Sequence, residues 1–363
     1  MGTPGMNTAN LLRDKPLFGL DVGHGSLKVM QTVQQKSGKR GTHLPRIRGY
    51  GTAAFDASAL DDGVIKKPEL IAEALLRLFK YELIGTISTR RVAIAIPSYR
   101  SFARSMQLPR LAARELEEAV RLEAEQYIPV PLDNLYLDYM TTREGTETDD
   151  LLAVAVPKEI VDSYLMLARM VGLEVMLVET TMAADSRLFG RNNQEAASVI
   201  IDFGSLTADI SVFHHNTLVT GTVPAGGLVF TNRIKDALGV TPAEAGIIKT
   251  KYGLSVSKKQ SEIMHALEPT LQQLTKEIRR MLRYYEEHYG AATAISQVVV
   301  FGGGANMPGL SEYLTNALRL PVRVHDPWQY LDYQGLQAPN KADKLMYATV
   351  AGLSLVRPRE VFA

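Results

Sequence analysis

The chain of 363 residues contains no cysteine. That absence excludes disulfide staples and thiolate-held zinc, and it suits a reducing compartment. A charge excess is missing too: 40 Lys and Arg against 39 Asp and Glu leave a net charge of +1. Such a balance gives no bulk attraction to nucleic acid or acidic lipid, so no nucleic-acid partner is expected. No apolar run approaches the roughly 20 residues that span a bilayer, and residues 1–15 lack the apolar segment of a signal peptide. A globular protein of the cytoplasm is expected.

What is present is length and a repeated pattern. A chain of this size exceeds the roughly 250–300 residues over which one core keeps growing, so two major domains are expected. Residues 17–31, LFGLDVGHGSLKVMQ, run from an apolar strand into Asp-x-Gly-x-x-Ser-x-Lys and back to an apolar strand. Residues 198–213, SVIIDFGSLTADISVF, repeat the pattern. Asp21, Gly23 and Ser26 return as Asp202, Gly204 and Thr207 at the same spacing.

Glycine lets a tight turn bring backbone amides against a phosphate, a neighbouring Ser or Thr adds a donor, and an aspartate at a strand end can hold a hydrated divalent cation. One Asp-x-Gly is more often an ordinary turn. Two copies, each opening half of the chain, point to opposed phosphate clamps. The first candidate loop is then Asp21, Gly23, His24, Gly25, Ser26 and Lys28; the second is Asp202, Gly204, Ser205 and Thr207.

Between the repeats, residues 68–79 show helical apolar spacing with Pro68 in the first turn. Residues 91–97 and 101–108 read as a strand and its hairpin partner. Residues 111–127 form a helix halted at Ile128-Pro129-Val130-Pro131. Its five carboxylates, Glu115, Glu117, Glu118, Glu123 and Glu125, read as a solvated face. Residues 135–141 and 151–156 read as strands, which makes 91–157 a self-contained α+β insertion. Helix 158–171, strand 173–178 and helix 180–189 close the first half.

After the second repeat, a strand over 217–224 leads to Gly226-Gly227 at a helix entry. Free amides and the helix dipole favour an anion there, and an ordinary strand-to-helix turn weighs equally. Thr241-Pro242 opens a helix carrying Glu244 and Lys249. Residues 268–289 give an amphipathic helix. The strand 297–301 ends in Gly302-Gly303-Gly304 ahead of Met307, where bare backbone can lie against a flat ligand. A small-residue helix follows over 345–355. His214 and His215 point to opposite faces of a strand, which argues against joint ligation of a metal.

This order of hairpin, insertion, hairpin, glycine doublet, Glu/Lys helix and GGGA turn resembles the actin-like ATPase superfamily. Within it, the phrases LEAEQYIPVPLDNLYLDY, LLAVAVPKEIV, EIRRMLRYYEEHYG and VVVFGGGANMPGL resemble the PilM family of type IV pilus assembly, over about residues 17–355. The resemblance implies an α/β fold of two duplicated ribonuclease-H-like lobes around a nucleotide cleft, with an FtsA-type inserted subdomain. Lobe 1 would comprise residues 17–90 and 158–194, split by the insertion at 91–157. Lobe 2 would comprise 195–240 and 269–340, with a small subdomain at 241–268. Residues 341–363 would return to lobe 1, and 1–16 would form a flexible arm.

The resemblance also implies ATP and Mg2+. Asp21 and Asp202 would hold the metal through water, and Ser26, Lys28 and Thr207 would contact phosphates, with Gly226 and Gly227 nearby. Glu244 and Lys249 would reach ribose or base, and Gly302, Gly303, Gly304 and Met307 the adenosine. Glu179, in the segment joining the lobes, is the candidate for orienting an attacking water. His24 stands where the family usually has Ser, so a hydroxyl donor is lost and binding is expected ahead of hydrolysis.

As partners, the resemblance implies the N-terminal cytoplasmic peptide of a PilN-like membrane protein, held where the insertion meets lobe 1, and components of the assembly motor. The protein would sit at the cytoplasmic face of the inner membrane through its partners; a homodimer is left open. Two other readings stand beside this one. A filament-forming protein like FtsA or MreB would anchor to a membrane, but residues 355–363, LVRPREVFA, are short and broken by proline. A sugar-kinase-like phosphotransferase would need a sugar-binding cluster that the insertion does not offer.

Overall fold

The computed structural model describes residues 16–34, 44–191, 197–214, 216–290 and 294–357. The N-terminal arm, apart from Pro16, and His215 lie outside the described residues.

The first sheet is built on β1 (Phe18–Val22) and β2 (Ser26–Val33). Every residue of β1 is buried, as a strand covered on both faces requires. It pairs antiparallel with β2 and parallel with β7 (Arg91–Ile96), and β3 (Arg46–Ala54) pairs with β2. A two-residue hairpin, β4 (Leu60–Asp61) and β5 (Val64–Ile65), follows β3. With β6 (Ile84–Gly85) and β11 (Glu174–Thr180) the order is β11-β7-β1-β2-β3-β6.

The second sheet repeats this arrangement. β12 (Ser198–Phe203) pairs antiparallel with β13 (Ala208–His214) and parallel with β15 (Gln297–Phe301). β14 (Asn216–Val223) and β16 (Val322–Val324) complete the counterpart of the first five strands. The five-strand order β16-β15-β12-β13-β14 matches β11-β7-β1-β2-β3, so the turn pattern seen twice in the sequence sits at equivalent places in two like sheets.

Helices α1 (Pro68–Arg77), α2 (Ala113–Tyr127), α3 (Lys158–Met170), α4 (Thr181–Gly190), α5 (Gly227–Leu238), α6 (Pro242–Lys251), α7 (Gln260–Tyr289) and α8 (Leu310–Leu318) are joined by a C-terminal α9 (Ala348–Ser354). Helices α1 and α3 cover one face of the first sheet, burying Ile71, Leu75, Tyr164 and Leu167. Helices α4 and α9 lie between the sheets, where Met30, Tyr50, Phe189, Phe213, Phe301, Trp328 and Val350 share one core. Each fully buried side chain of this size contributes roughly 1.5–3 kcal/mol. Gly352 makes the α9–α4 approach possible, because a Cβ there would come within 1.9 Å of the Ala184 carbonyl oxygen.

Three sequence expectations are corrected by position. Strand β7 is a central strand of the first sheet, so the insertion begins after it and not at Arg91. Strands β8 (Phe102–Pro109), β10 (Thr148–Pro157) and β9 (Leu135–Glu144) form an antiparallel ribbon with α2 packed on it through Val120, Ala124, Ile128 and Leu151. This unit is not isolated: Arg104 of β8 pairs with Val219 of β14, which attaches the ribbon to the second sheet. Helix α7 starts at Gln260, upstream of the expected 268, and runs through Pro269. Ile263 and Leu267 extend its fully buried stripe, and that burial outweighs the proline penalty of about 3 kcal/mol.

Candidate functional site

The β1–β2 and β12–β13 turns open into one cleft of about 590 Å³ between the sheets. Asp21, Gly23, His24, Ser26 and Lys28 line it from one side, and Asp202, Gly204, Ser205 and Thr207 from the other. The two turns have like backbone bonding: the Gly23 amide donates to the Ser26 carbonyl, and the Gly204 amide to the Thr207 carbonyl, each at 2.9 Å. Gly25, at φ +95°, belongs to the first turn without lining the cleft.

The two loops differ in charge. Asp21 stands opposite Lys28 in the register, and Lys28 Nζ donates to Asp21 Oδ2 at 3.1 Å. Both are nearly buried, at 8% and 6% exposure. Asp202 stands opposite Asp209 instead. Burial, then the Asp209 and Asp21 charges, push the Asp202 carboxyl up to about 7, with Lys28 opposing. Asp209 is pushed up to about 6 by burial, against hydrogen bonds from Thr222 and Thr207. Behind them, on α4, Asp185 is fully buried; its Oδ1 accepts from Thr349 at 3.1 Å and its Oδ2 has no partner. Burial, first, and the Asp202 charge raise its pKa well above its ordinary value.

The glycine doublet is used differently from an anion site. The amides of Gly226, Gly227 and Leu228 donate to the carbonyls of Leu206, Gly204 and Ser205 at 3.1, 2.9 and 2.8 Å. The start of α5 therefore clamps the second turn. A Cβ on Gly226 would lie 2.4 Å from the Ser205 carbonyl oxygen, so only glycine permits that approach. Gly227 lines the cleft and Gly226 does not.

Of the residues expected at ribose or base, Lys249 lines the cleft, with Nζ donating to the Gly227 carbonyl at 2.7 Å and Thr231 Oγ1 at 2.9 Å; burial lowers its pKa. Glu244 does not reach the cleft. It closes a capping box at the start of α6, accepting from the Thr241 amide at 2.9 Å. Gly302, Gly303 and Gly304 line the cleft beside Met346, whereas Met307 is buried in the second-lobe core. Gly302 sits at φ +81°, and a Cβ there would lie 2.3 Å from Asp202 Oδ1.

Glu179 is not brought to the cleft either. Both its oxygens are taken by the Arg187 guanidinium on α4, the Nη2–Oε2 bond being 2.6 Å. The cleft is completed by residues that the sequence reading did not single out: Tyr99, Tyr164, Asp209, Thr349, and Asp61 and Asp62 in the β4–β5 turn. Asp62 has φ +47° and pairs with Arg100 at 3.3 Å. Asp209 was visible as the last letter of DFGSLTAD; the others had no local signal.

Two lobes of like topology, each offering a strand–turn–strand hairpin to a common cleft, define the actin-like ATPase fold. Solved structures of that fold superpose on the chain. A PilM–PilN type IV pilus biogenesis complex matches with TM-score 0.78 at 22% identity, covering 94% of this chain and 98% of that one. MreB5 of Spiroplasma citri bound to AMPPNP matches with TM-score 0.53 at 14% identity, covering 93% and 95%. The cell division protein FtsA of Bacillus subtilis is 23% identical over 267 residues, 64% of this chain and 58% of that protein. FtsA of Escherichia coli K12 is 24% identical over 213 residues, covering 50% and 49%. These matches span about half to three-fifths of the length of the curated relatives.

Residues 19–358 match the family described as type IV pilus assembly protein PilM, and the chain belongs to that family. Among the described residues, no helix is long and apolar enough to cross a membrane.

Proposed function

We propose that the protein is a nucleotide-dependent scaffold of type IV pilus assembly. ATP would occupy the cleft, with phosphates between the two turns and adenosine toward Gly302, Gly303 and Gly304. The observation carrying this reading is that Gly23 and Gly204, 181 positions apart in the numbering (204 − 23), face one cavity. The cavity fits the group on two counts. Bare glycines let its walls approach, and Asp185 Oδ2 and Tyr164 Oη are buried polar atoms without partners at or beside its wall. AMPPNP in MreB5 supports the same reading.

Among the described residues, no group of three or more His, Asp or Glu could hold a metal ion. Magnesium would therefore be held through water and phosphate oxygens, with Asp21 and Asp202 as outer partners. Glu179, the candidate for orienting an attacking water, is tied to Arg187 and does not line the cleft, so slow or absent turnover is the expected behaviour.

The partner would be the N-terminal cytoplasmic peptide of a PilN-like protein, bound where the insertion meets the first lobe and bringing the complex to the inner membrane and its motor. At that seam Tyr136 Oη donates to Asp162 Oδ1 at 3.0 Å. Tyr136 and Met140 on β9, and Met166 and Met170 on α3, are large apolar side chains between 46% and 52% exposed. An apolar segment would bury them. Calorimetry of such a peptide, with and without Mg-ATP, tests the reading. Binding abolished by Met166→Asp with nucleotide affinity retained is expected; binding that survives deletion of residues 98–157 in a folded protein would defeat it.

A further inference from the structure

Helix α3 packs on the first sheet through Ile160, Val161, Tyr164, Leu167 and Ala168. Four of these are aliphatic; Tyr164 is not. It is only 1% exposed, its ring lies in the first-lobe core, and it lines the cleft. Its Oη has no hydrogen-bond partner. Such an orphan is rare, since buried polar atoms are almost always satisfied and leaving one unpaired disfavours the fold. A phenylalanine would fill the same core volume without that cost.

The chemistry of the hydroxyl narrows what it meets. Burial, the Asp21 charge and Tyr99 all push its pKa far above the usual tyrosine range, so it remains a phenol with a proton to give. The nearby carboxylate does not take that proton: Asp21 Oδ2 accepts from Lys28, and no bond joins Asp21 to Tyr164. The partner that satisfies Tyr164 as a donor supplies an acceptor oxygen, from an ordered water or from an occupant of the cleft that Tyr164 lines. Tyr164 and Asp21 line the cleft from the first lobe, and glycines 302–304 line it from the second. Resting on the nucleotide reading above, an occupant with its base at those glycines turns its far phosphate end toward Tyr164.

We propose that Tyr164 Oη donates a hydrogen bond to the terminal phosphoryl group of a bound nucleoside triphosphate, and so distinguishes triphosphate from diphosphate. It is a positioning and specificity residue on the helix that also carries Asp162, the partner of Tyr136 in the insertion.

The test is calorimetric titration of wild type and Tyr164→Phe with Mg-AMPPNP and with Mg-ADP, together with melting of the ligand-free proteins. The variant should lose about tenfold in affinity for AMPPNP, the usual size for one hydrogen bond to a charged acceptor, and stay within about twofold for ADP. Its ligand-free melting temperature should equal or exceed that of wild type. A lowered ligand-free melting temperature with equal losses for both nucleotides would assign the hydroxyl a structural role and overturn the proposal, as would unchanged affinity for AMPPNP.

Should the variant fail to fold, wild type carrying 3-fluorotyrosine answers the same question. A Tyr164 fluorine resonance that shifts with AMPPNP and not with ADP supports the proposal; equal response, or none, overturns it. Wild type that binds both nucleotides while Tyr164→Phe follows it removes only this assignment. Wild type that binds neither removes the nucleotide reading and this proposal together.

Discussion

Asp209 faces Asp202 across the β12–β13 pair at the register position where, in the first hairpin, Lys28 faces Asp21. One clamp is internally neutralised and the other holds two carboxylates. With Asp202 near 7 and Asp209 near 6, against an ordinary 3.8, the folded protein retains protons that the unfolded chain releases. For acids shifted upward, stability falls as pH rises between the unfolded and folded values.

The ligand-free protein should therefore gain from Asp209→Asn at pH 8 and lose that advantage toward pH 5, where wild-type Asp209 is itself protonated. A melting temperature higher by a few degrees at pH 8, converging at pH 5, is the expected pair of scans. A variant less stable at pH 8 would contradict the charge account, because Asn can still accept the Thr222 hydroxyl now 2.7 Å from Asp209.

Lys28→Ala leaves Asp21 buried without its cation. Breaking such a pair from one side costs about 3–5 kcal/mol when fully buried, so urea denaturation should show a loss of about that order. Nucleotide affinity should fall at least tenfold, on the order of 1.4 kcal/mol, since the phosphate contact proposed for Lys28 and the orientation of Asp21 would be lost together. Asp202→Ala should weaken nucleotide binding while sparing the ligand-free fold, and the contrast between the two variants is the informative readout.

Glu179→Gln separates a structural from a chemical role. The two Arg187 bonds predict a destabilisation of about 1–3 kcal/mol seen in chemical denaturation, with nucleotide affinity within about twofold of wild type. Any turnover the wild type shows should persist in the refolded variant; selective loss of turnover at unchanged stability would return Glu179 to the reaction.

Gly302→Ala should be more damaging than its size suggests. The left-handed φ of +81° strains any side chain, and the new methyl would press on Asp202 Oδ1. Loss of about 2 kcal/mol or more is expected, along with loss of nucleotide binding; Gly303→Ala, which would meet only the flexible Met346 side chain at 3.1 Å, should be far milder.

What could be seen in the sequence were features written in local spacing. The paired Asp-x-Gly turns, strand 297–301 and the Thr241 cap all depend on neighbours within a few positions, and each stands where its pattern puts it. Features set by distant neighbours were hidden. Nothing near Gly226 shows that carbonyls of the 204–206 turn would take its helix-start amides. Nothing near Glu179 distinguishes a free carboxylate from one held by Arg187, eight residues later on the next helix. Asp185 and Tyr164 lie inside apolar helix faces, where a periodicity argument sees only core.

The contact between Arg104 and Val219 has a mechanical implication. The ribbon β8-β10-β9 is joined to the first sheet by the chain running out of β7, and to the second by a strand pairing at one register point. A body fastened to both jaws of a hinge must tilt or let go of one when the jaws swing. Movement around the cleft would in that way become displacement at a surface far from it, with the weaker fastening as the place where the motion is felt first.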